Sequence, residues 1–334
     1  MPTVWSFTML PLQIFQIFIH EVTIMRKLLS SLLVFLLLTG CASAPAETGA
    51  SADAAITFTD DLGRSVTVDA PRRTAALLGS FAQIWMLAGG EICATADDAW
   101  EDLNLDLPED TVNLGNTKEL SLELLLSAQP DFILASANTR QNVEWLETLV
   151  ATGIPVAYFD IADFDDYLRL LRLCTDITGR KDLYEKHGLA VQAQIDTVLE
   201  QSEHRGTHPT VLCMRASASL VTVKNSEDNV LGEMLKSLGC VNIADSDASL
   251  LENLSIERIL EMDPEYIFIV QRGDDTQGMM ENIQNRMTEN PAWQQLTAVK
   301  EGRLFYMDKN LYNLKPNHRW GEAYEKLEEI LSNG

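Results

Sequence analysis

Apolar positions along this chain form short continuous runs that are separated by amphipathic stretches. Strand-length runs occupy residues 74–78, 92–96, 131–135 and 156–159, and a helical pattern covers residues 81–88. Short buried strands that alternate with helices predict an α/β layer fold. Ahead of them, residues 56–68 alternate at period two around an Asp-Asp-Leu-Gly turn, which predicts a small β-hairpin.

The middle of the chain predicts a long helix between two α/β units. A helical pattern over residues 163–178 is followed by Gly179 and Arg180, and a second pattern continues from there to about His204. A helix of more than about 20 residues spans about 30 Å, enough to run along a whole lobe. A second α/β unit begins with residues 210–214 and ends in an amphipathic helix whose apolar stripe contains Trp320, Ala323, Leu327 and Ile330.

The N-terminal segment has the pattern of an export signal. Arg26 and Lys27 precede an unbroken apolar run over residues 32–38, and small residues lead directly to Cys41. The run is shorter than the roughly 20 residues of a membrane-spanning helix, so we predict a signal peptide over residues 1–40. Met25 is the expected start, because residues 1–24 add a second, mixed apolar stretch.

The tetrapeptide that ends at Cys41 resembles the bacterial lipobox. This resemblance implies cleavage before Cys41 and acylation of that cysteine, and two or more acyl chains anchor a protein stably. An ordinary buried thiol is the alternative for Cys41. We expect an exported protein on the outer face of the cell membrane, or on the periplasmic side where there are two membranes. Residues 41–55 are rich in small residues and predict a flexible tether.

The length of the remaining chain predicts two lobes. The folded part is expected to begin near Ile56 and to hold roughly 280 residues, more than one hydrophobic core usually supports. We therefore expect an N-terminal lobe over residues 56–180, a linker helix over residues 181–205 and a C-terminal lobe over residues 206–334.

The charge balance is strongly acidic. The chain carries 25 Lys and Arg against 49 Asp and Glu, a formal net charge of −24 at pH 7. This balance argues against nucleic acid or an anionic membrane as a partner. A basic residue near a cleft is therefore a stronger candidate for ligand binding, since an anionic ligand needs local positive charge in a protein whose overall electrostatic field is negative. Four further cysteines lack CxxC spacing, which favours buried free thiols over a disulfide framework: Cys93, Cys174, Cys213 and Cys240.

A diverged repeat links the two halves of the chain. Residues 120–134 align without gaps onto residues 254–268, with identity at six of fifteen positions. Each copy predicts a short helix whose N-cap is Ser121 or Ser255. Glu123 or Glu257 then lies in the first turn, where the helix dipole favours a carboxylate. The plain interpretation is that both glutamates are ordinary carboxylates at the start of a helix. This interpretation does not explain why the same glutamate occurs in both halves.

Several short motifs, taken in order, resemble the class III solute-binding proteins of ABC importers, which bind ferric siderophores, haem and cobalamin. The motifs lie at residues 60–64, 75–82, 114–115 and 238–244 and in both copies of the repeat, so the resemblance covers nearly everything after Ile56. It implies an α/β fold with two lobes, each with a central, mostly parallel sheet flanked by helices, which are joined by one long helix and face each other across a ligand cleft. Cys240 stands where relatives often have a second glycine.

The same resemblance implies a function. It implies a solute-binding lipoprotein that captures a metal chelate and delivers it to an ABC permease dimer with its ATPase subunits. By motif position, Glu123 and Glu257 dock against an arginine of each permease subunit. We expect a monomer without an intrinsic cofactor and without enzymatic activity.

Loops that follow strands supply the candidate cleft residues, because ligands of open α/β folds bind beyond the carboxyl ends of the strands. Aromatic faces suit a flat macrocycle or a catecholate, and arginine binds carboxylates through paired donors. A solvated loop charge or a core aromatic is the alternative for each residue taken singly. The candidates are Ser80, Phe81, Trp100, Asn138 and Arg140 in the first lobe, and Arg215, Lys224, Asn225, Arg272, Tyr312, Lys315 and Arg319 in the second.

Other functions have weaker support in the sequence. A receptor for a bare metal ion needs a compact ligand set, and no Cys or carboxylate pattern joins the histidines after the tether. Haem is an open alternative as the ligand, since Tyr312, His318 or Met214 could be an axial ligand of its iron. No GxSxG, P-loop or GxGxxG motif supports an enzyme. A surface sensor or haem relay with the same fold and no permease is the remaining alternative, which the fold alone does not exclude.

Overall fold

The first lobe is built on a five-stranded parallel sheet. The computed structural model describes residues 55–227 and 229–333, so the predicted signal peptide, Met25, Cys41 and the tether up to residue 54 lie outside the described residues. The sheet order is β5-β4-β3-β6-β7, and every neighbouring pair is parallel. The elements are β1 (Ile56–Thr59), β2 (Ser65–Val68), β3 (Thr74–Ala76), α1 (Gly79–Leu87), β4 (Ile92–Thr95), α2 (Asp98–Glu101), β5 (Val112–Asn113), α3 (Leu122–Ser127), β6 (Phe132–Ser136), α4 (Arg140–Glu144), α5 (Leu146–Ala151), β7 (Val156–Phe159) and α6 (Phe164–Thr178).

The predicted β-hairpin is confirmed, and a buried carboxylate holds it to the lobe. Strands β1 and β2 pair antiparallel. Asp60 is 4% exposed, and its Oδ1 accepts the backbone N–H groups of Leu62 at 3.1 Å and Arg64 at 2.9 Å. Its Oδ2 accepts the N–H of Tyr158 in β7 at 3.1 Å. The turn is therefore fixed both internally and to the edge of the sheet.

A continuous helical segment follows the first lobe. It consists of α7 (Lys181–Tyr184), a π-helical turn (Glu185–Leu189) and α8 (Ala190–Arg205). A segment of this length spans about 37 Å at the α-helical rise. The two-lobed α/β fold with one long connecting helix is thus confirmed, whereas the residue boundaries expected for the lobes stay a prediction.

The second lobe repeats the architecture with one antiparallel strand. The sheet order is β10-β8-β11-β12, these neighbours are parallel, and β9 pairs antiparallel with β8. No helix within residues 55–227 or 229–333 is long and apolar enough to cross a membrane. The elements are β8 (Thr210–Ala216), β9 (Val221–Lys224), α9 (Val230–Ser237), β10 (Val241–Asn242), α10 (Ser249–Glu252), α11 (Ile256–Met262), β11 (Tyr266–Gln271), α12 (Thr276–Ile283), α13 (Thr297–Lys300), β12 (Leu304–Met307), α14 (Lys309–Tyr312) and α15 (Trp320–Asn333).

One hydrophobic cluster is shared by both lobes. Two other clusters cover the opposite face of each sheet. Because interiors are close-packed, displacing one lobe against the other would disturb this shared cluster. It contains Trp85, Phe132 and Phe159 of the first lobe, Val191, Ile195 and Val198 of α8, and Val211, Phe268 and Trp320 of the second lobe, each at most 7% exposed.

The two copies of the sequence repeat form equivalent short helices. Ser121 Oγ accepts the N–H of Leu124 at 3.2 Å at the start of α3, and Ser255 Oγ accepts the N–H of Arg258 at 3.3 Å at the start of α11. Both predicted N-caps are therefore confirmed. In each lobe the repeat ends in a buried parallel strand, β6 or β11.

Removing either cap should destabilise the protein. Ser121→Ala and Ser255→Ala should each lower the free energy of unfolding by about 1 kcal/mol, because an N–H of the first turn loses its acceptor. Urea unfolding measures the change. The control Ser121→Asp retains an acceptor and should stay within a few tenths of a kcal/mol of the parent protein. An alanine variant as stable as the control would contradict the assigned role of the cap.

Candidate functional site

The carboxyl ends of the two sheets face each other, and side chains bridge them directly. Lys309 follows β12, and its Nζ lies 2.6 Å from Oδ1 of Asp102, which follows α2 in the first lobe. The same Nζ contacts Asp274, three residues beyond β11. Asn310 Nδ2 donates to the Asp102 carbonyl at 3.1 Å. These contacts mark the edges of a cleft between the lobes, where ligands of such folds bind.

The edge of the second lobe carries two close arginines. Arg215 is the penultimate residue of β8, opposite Val270, and Arg272 directly follows β11. Burial, and then the charge of Arg272, lower the pKa of Arg215. Arg215 Nε is buried without a hydrogen-bond partner among the described residues. Together with Lys309, the pair forms a basic edge in a protein of net charge −24, which suits an anionic ligand.

The facing edge of the first lobe is acidic and tightly packed. Asp98 Oδ1 accepts the N–H of Gly79, the first residue of α1, at 2.9 Å. A Cβ on Gly79 would lie 2.6 Å from the backbone N of Ala99, so α1 and α2 approach too closely for any other residue. Burial is the main cause that raises the pKa of Asp98 to about 6, and Asp102 adds to it. Trp100 lies in α2 and is partly exposed.

A second set of contacts connects the lobes through residues 313–319. Asn317 is fully buried, with φ +53°, and its Nδ2 donates to the carbonyl of Ser80 at 3.1 Å and to Oε1 of Gln83 at 2.7 Å. Lys315 Nζ donates to the carbonyl of Ile161, which follows β7. Ser80, through its backbone carbonyl, and Lys315 thus connect the two lobes, and their contact with a ligand stays a prediction.

The placement predicted for Lys224 and Asn225 at the carboxyl edge is wrong. Lys224 pairs with Cys213 because β9 runs antiparallel to β8, so the chain returns towards the amino end of the sheet. Asn225 then lies beside the loop around Asp245 and helps to line a cavity of about 270 Å³ there. The prediction assumed that the segment after each strand stays at the carboxyl edge, which fails where the next strand is a hairpin partner.

Three other candidates lie in the core or in local ion pairs. Phe81 and Tyr312 are each 2% exposed, and the Tyr312 hydroxyl donates to the Ala323 carbonyl at 3.0 Å. Arg319 pairs with Glu322 through two hydrogen bonds of 2.7 and 2.9 Å.

The two remaining candidates follow β6 at the exposed rim of the first lobe. Asn138 and Arg140 are both exposed, and Arg140 Nε lies 2.7 Å from Oε1 of Glu144. The structure thus brings together Arg215 and Arg272 of the predicted set. Lys309, Asp102 and Asp274 were missed, although they also follow strands or the helices next to them. Strand β12 is an apolar run of only four residues, too short to be assigned as a strand from its pattern alone.

The residues proposed as axial ligands of haem lie away from the facing edges. Tyr312 is in the shared core, and Met214 is 1% exposed in the second-lobe cluster. His318 faces His187 of the π-helical turn, with ring centroids 6.1 Å apart, and burial lowers the pKa of both. No group of three or more His, Cys, Asp or Glu residues within 55–227 and 229–333 is arranged to hold a metal ion. The four described cysteines are free thiols.

Two α/β lobes with facing carboxyl edges and a linking helix define a two-lobed binding protein. The profile described as periplasmic binding protein matches residues 75–311, so the chain belongs to this family of solute-binding proteins, which are not enzymes. The resemblance predicted from the motifs is thereby confirmed.

Individual relatives agree with the family assignment. The Fe(3+)-citrate-binding protein YfmC of Bacillus subtilis (strain 168) is 25% identical over 290 residues, which cover 84% of this chain and 88% of that protein. The structure of Staphylococcus aureus SirA complexed with staphyloferrin B has a TM-score of 0.66 at 18% identity and covers 83% of this chain and 98% of that chain. The structure of the catecholate-siderophore binding protein VctP of Vibrio cholerae has a TM-score of 0.64 at 18% identity and covers 84% of this chain and 100% of that chain. These two structural matches show the fold.

The partly buried Asp98 should make stability depend on pH. Its pKa is raised from the ordinary 3.8 to about 6, so its unfavourable contribution is absent below about pH 4, grows between pH 4 and pH 6 and is complete above pH 6. Asp98→Asn keeps an acceptor for Gly79 and should be more stable than the parent by on the order of 2 kcal/mol at pH 7.5, with no advantage at pH 4. Urea unfolding at both values measures this difference.

An exposed loop carboxylate supplies the control for that comparison. Asp106→Asn should leave stability within about 0.5 kcal/mol of the parent protein at both pH values. An equal effect of Asp98→Asn at pH 4 and pH 7.5 would contradict the assignment of the pH dependence to Asp98.

Proposed function

We propose that this protein is the extracytoplasmic solute-binding lipoprotein of an ABC importer, which captures an anionic ferric chelate and delivers it to a permease. The observation that carries the proposal is the basic edge of Arg215, Arg272 and Lys309 at the mouth of an inter-lobe cleft. Few sites on so acidic a chain would attract an anion, and this one lies where ligands of the fold bind.

Carboxylates are the ligand groups that best fit this edge. A guanidinium presents paired donors to a carboxylate, and Arg215 Nε has no partner within the described chain. Lys309 is shared between Asp102 and Asp274, so a ligand carboxylate can compete for it. Citrate is a tricarboxylate, and a relative that aligns over most of this chain is named for binding Fe(3+)-citrate. Ferric citrate is therefore the first candidate among iron chelates.

The export signal and Cys41 support attachment to the outer face of the membrane. A basic pair, a short apolar run and a cysteine follow one another in the order of a lipoprotein signal. Two acyl chains on Cys41 would hold the receptor beside its permease, and the tether before Ile56 would give it reach. The receptor acts as a monomer in this proposal, and its partner is a permease dimer with ATPase subunits.

Glu123 and Glu257 are the proposed contacts with the permease. Both are exposed in the first turn of a short helix, one in each lobe, and both helices begin with the same serine cap. Two exposed carboxylates on separate lobes allow a permease to sense the distance between the lobes. Charges at the rim of an interface orient the complex and raise its association rate more than they raise its affinity.

Ferric citrate should stabilise the folded receptor through the arginine pair. At a hundred times its dissociation constant it should raise the melting temperature by about 5 °C or more, while ferric siderophores, haem, cobalamin and iron salts serve as competing probes. Arg215→Gln or Arg272→Gln should weaken ferric citrate binding by about tenfold to a hundredfold, since each removes a charge-assisted hydrogen bond. Calorimetric titration measures the affinity.

Arg180→Gln is the matched control for the arginine variants, because Arg180 is exposed, is paired locally with Asp182 and is not a candidate cleft residue. It should bind ferric citrate like the parent protein. A thermal response to haem and none to ferric citrate would contradict the proposed ligand class. Full affinity in Arg215→Gln and Arg272→Gln would contradict the proposed site.

Charge reversal at both glutamates should abolish uptake. Glu123→Arg combined with Glu257→Arg should stop accumulation of the radiolabelled iron chelate in cells, while the affinity of the isolated receptor changes by less than about twofold. The control pair Glu147→Arg and Glu281→Arg reverses one exposed carboxylate in each lobe outside α3 and α11. Normal uptake by the double variant at Glu123 and Glu257 would rule out their docking role.

A further inference from the structure

Lys309 is held between two carboxylates that belong to different lobes. Its Nζ lies 2.6 Å from Oδ1 of Asp102 in the first lobe and also contacts Asp274 in the second. Lys309 begins α14 and lies 207 positions after Asp102 in the chain. A ligand carboxylate that binds this ammonium group therefore has to displace an ion pair between the lobes.

Asp102 is the stronger of the two partners of Lys309. The side chains of Lys309 and Asp102 are 24% and 22% exposed, whereas that of Asp274 is 74% exposed. Water and salt screen an ion pair less where both charges are partly buried, and an exposed pair contributes little. Asp102 is therefore the main competitor of a ligand for Lys309.

The lobes stay connected when this ion pair opens. Asn310 Nδ2 donates to the main-chain carbonyl of Asp102 at 3.1 Å, a contact that does not involve the carboxylate. The buried amide of Asn317 holds the same lobe through the carbonyl of Ser80. Lys309 can thus turn to a ligand without separation of the lobes, and a change at the Asp102 carboxylate leaves the other two contacts in place.

Displacing Asp102 leaves a carboxylate without its cation on an acidic edge. Burial, and then the charge of Asp102, raise the pKa of the neighbouring Asp98. A neutral ligand group is a poor substitute for the lost carboxylate, since an ammonium group binds charged acceptors more strongly than neutral ones. The ligand must therefore present a carboxylate to Lys309 in addition to the one that Arg215 and Arg272 bind.

We propose that Asp102 is a specificity-determining residue that competes with the ligand for Lys309 and so selects chelates with several free carboxylates. A chelate with one carboxylate for the arginine pair and a second for Lys309 displaces Asp102. A chelate with no free carboxylate leaves Lys309 on Asp102 and binds more weakly. This inference rests on the proposed capture of an anionic ferric chelate.

Calorimetric titration of the intact receptor with ferric citrate tests this role. Asp102→Asn keeps the shape of the side chain but removes its charge, so it should tighten ferric citrate binding by about tenfold. Glu101→Gln is the matched control, since it removes an equal charge from the adjacent, exposed residue of α2, and it should change the affinity by less than about twofold. Equal tightening in both variants, or none in Asp102→Asn, overturns the inference. A gain in affinity cannot arise from a folding defect.

A double-mutant cycle tests whether Asp102 acts through Lys309. Lys309→Gln should weaken ferric citrate binding, because the ammonium group is lost. Adding Asp102→Asn to this variant should then change the affinity by less than about twofold. Tightening by about tenfold that persists without the ammonium group would contradict competition for Lys309.

A chelate without free carboxylates tests the selection. In ferric nitrilotriacetate the iron coordinates all the carboxylates, so this complex should bind the parent protein more weakly than ferric citrate and gain less than about twofold from Asp102→Asn. An equal gain for both chelates would overturn the selection. No binding of ferric citrate to the parent protein or to Asp102→Asn contradicts the proposed ligand, and the inference falls with it. Binding to the parent protein without the gain in Asp102→Asn overturns the inference alone.

Discussion

The contact of Asn317 with the first lobe is the constraint on which the cleft depends. Its fully buried amide joins the start of α1 to the segment before α15, and the same lobe is reached by Lys315 of that segment and by Lys309 of α14. The hydrophobic cluster around α8 then joins both sheets on one side. Because packed interiors resist continuous deformation, the two carboxyl edges are held at a defined separation. The charges on those edges can therefore act together on a ligand.

Charge is separated between the two edges of the cleft. Asp98 and Asp102 lie on the first lobe, and Arg215, Arg272 and Lys309 on the second. Lys309 partly neutralises the facing acids through Asp102, whereas Arg215 Nε has no hydrogen-bond partner among the described residues. The proposed anionic chelate would therefore meet positive charge at the second-lobe edge, opposite a carboxylate, Asp102, that is already paired.

More of the fold than of the candidate site could be predicted from the sequence, and individual residues show why. Strand runs, the hairpin and the caps Ser121 and Ser255 depend on local periodicity and on backbone hydrogen bonds, which the sequence shows directly. Cleft residues depend on the direction of the next element. Lys224 was misplaced although the four residues between β8 and β9 are too few for a parallel crossover and indicate a hairpin. Asn317 could not be predicted at all, since its partners Ser80 and Gln83 are more than 230 residues away along the chain.

The internal repeat shows which features each lobe needs and which can differ. Serine, glutamate and the buried position at Leu125 or Ile259 occur in both copies, and they supply a cap, a dipole-stabilised charge and an anchor. The remaining surface of a short helix contributes little to stability, because exposed positions tolerate most substitutions. At these positions one copy has the exposed leucines Leu124 and Leu126, whereas the other has Arg258, paired with Asp247 and Glu261, and a partly buried leucine. A receptor built from two similar halves can in this way present two distinct surfaces without any change in its architecture.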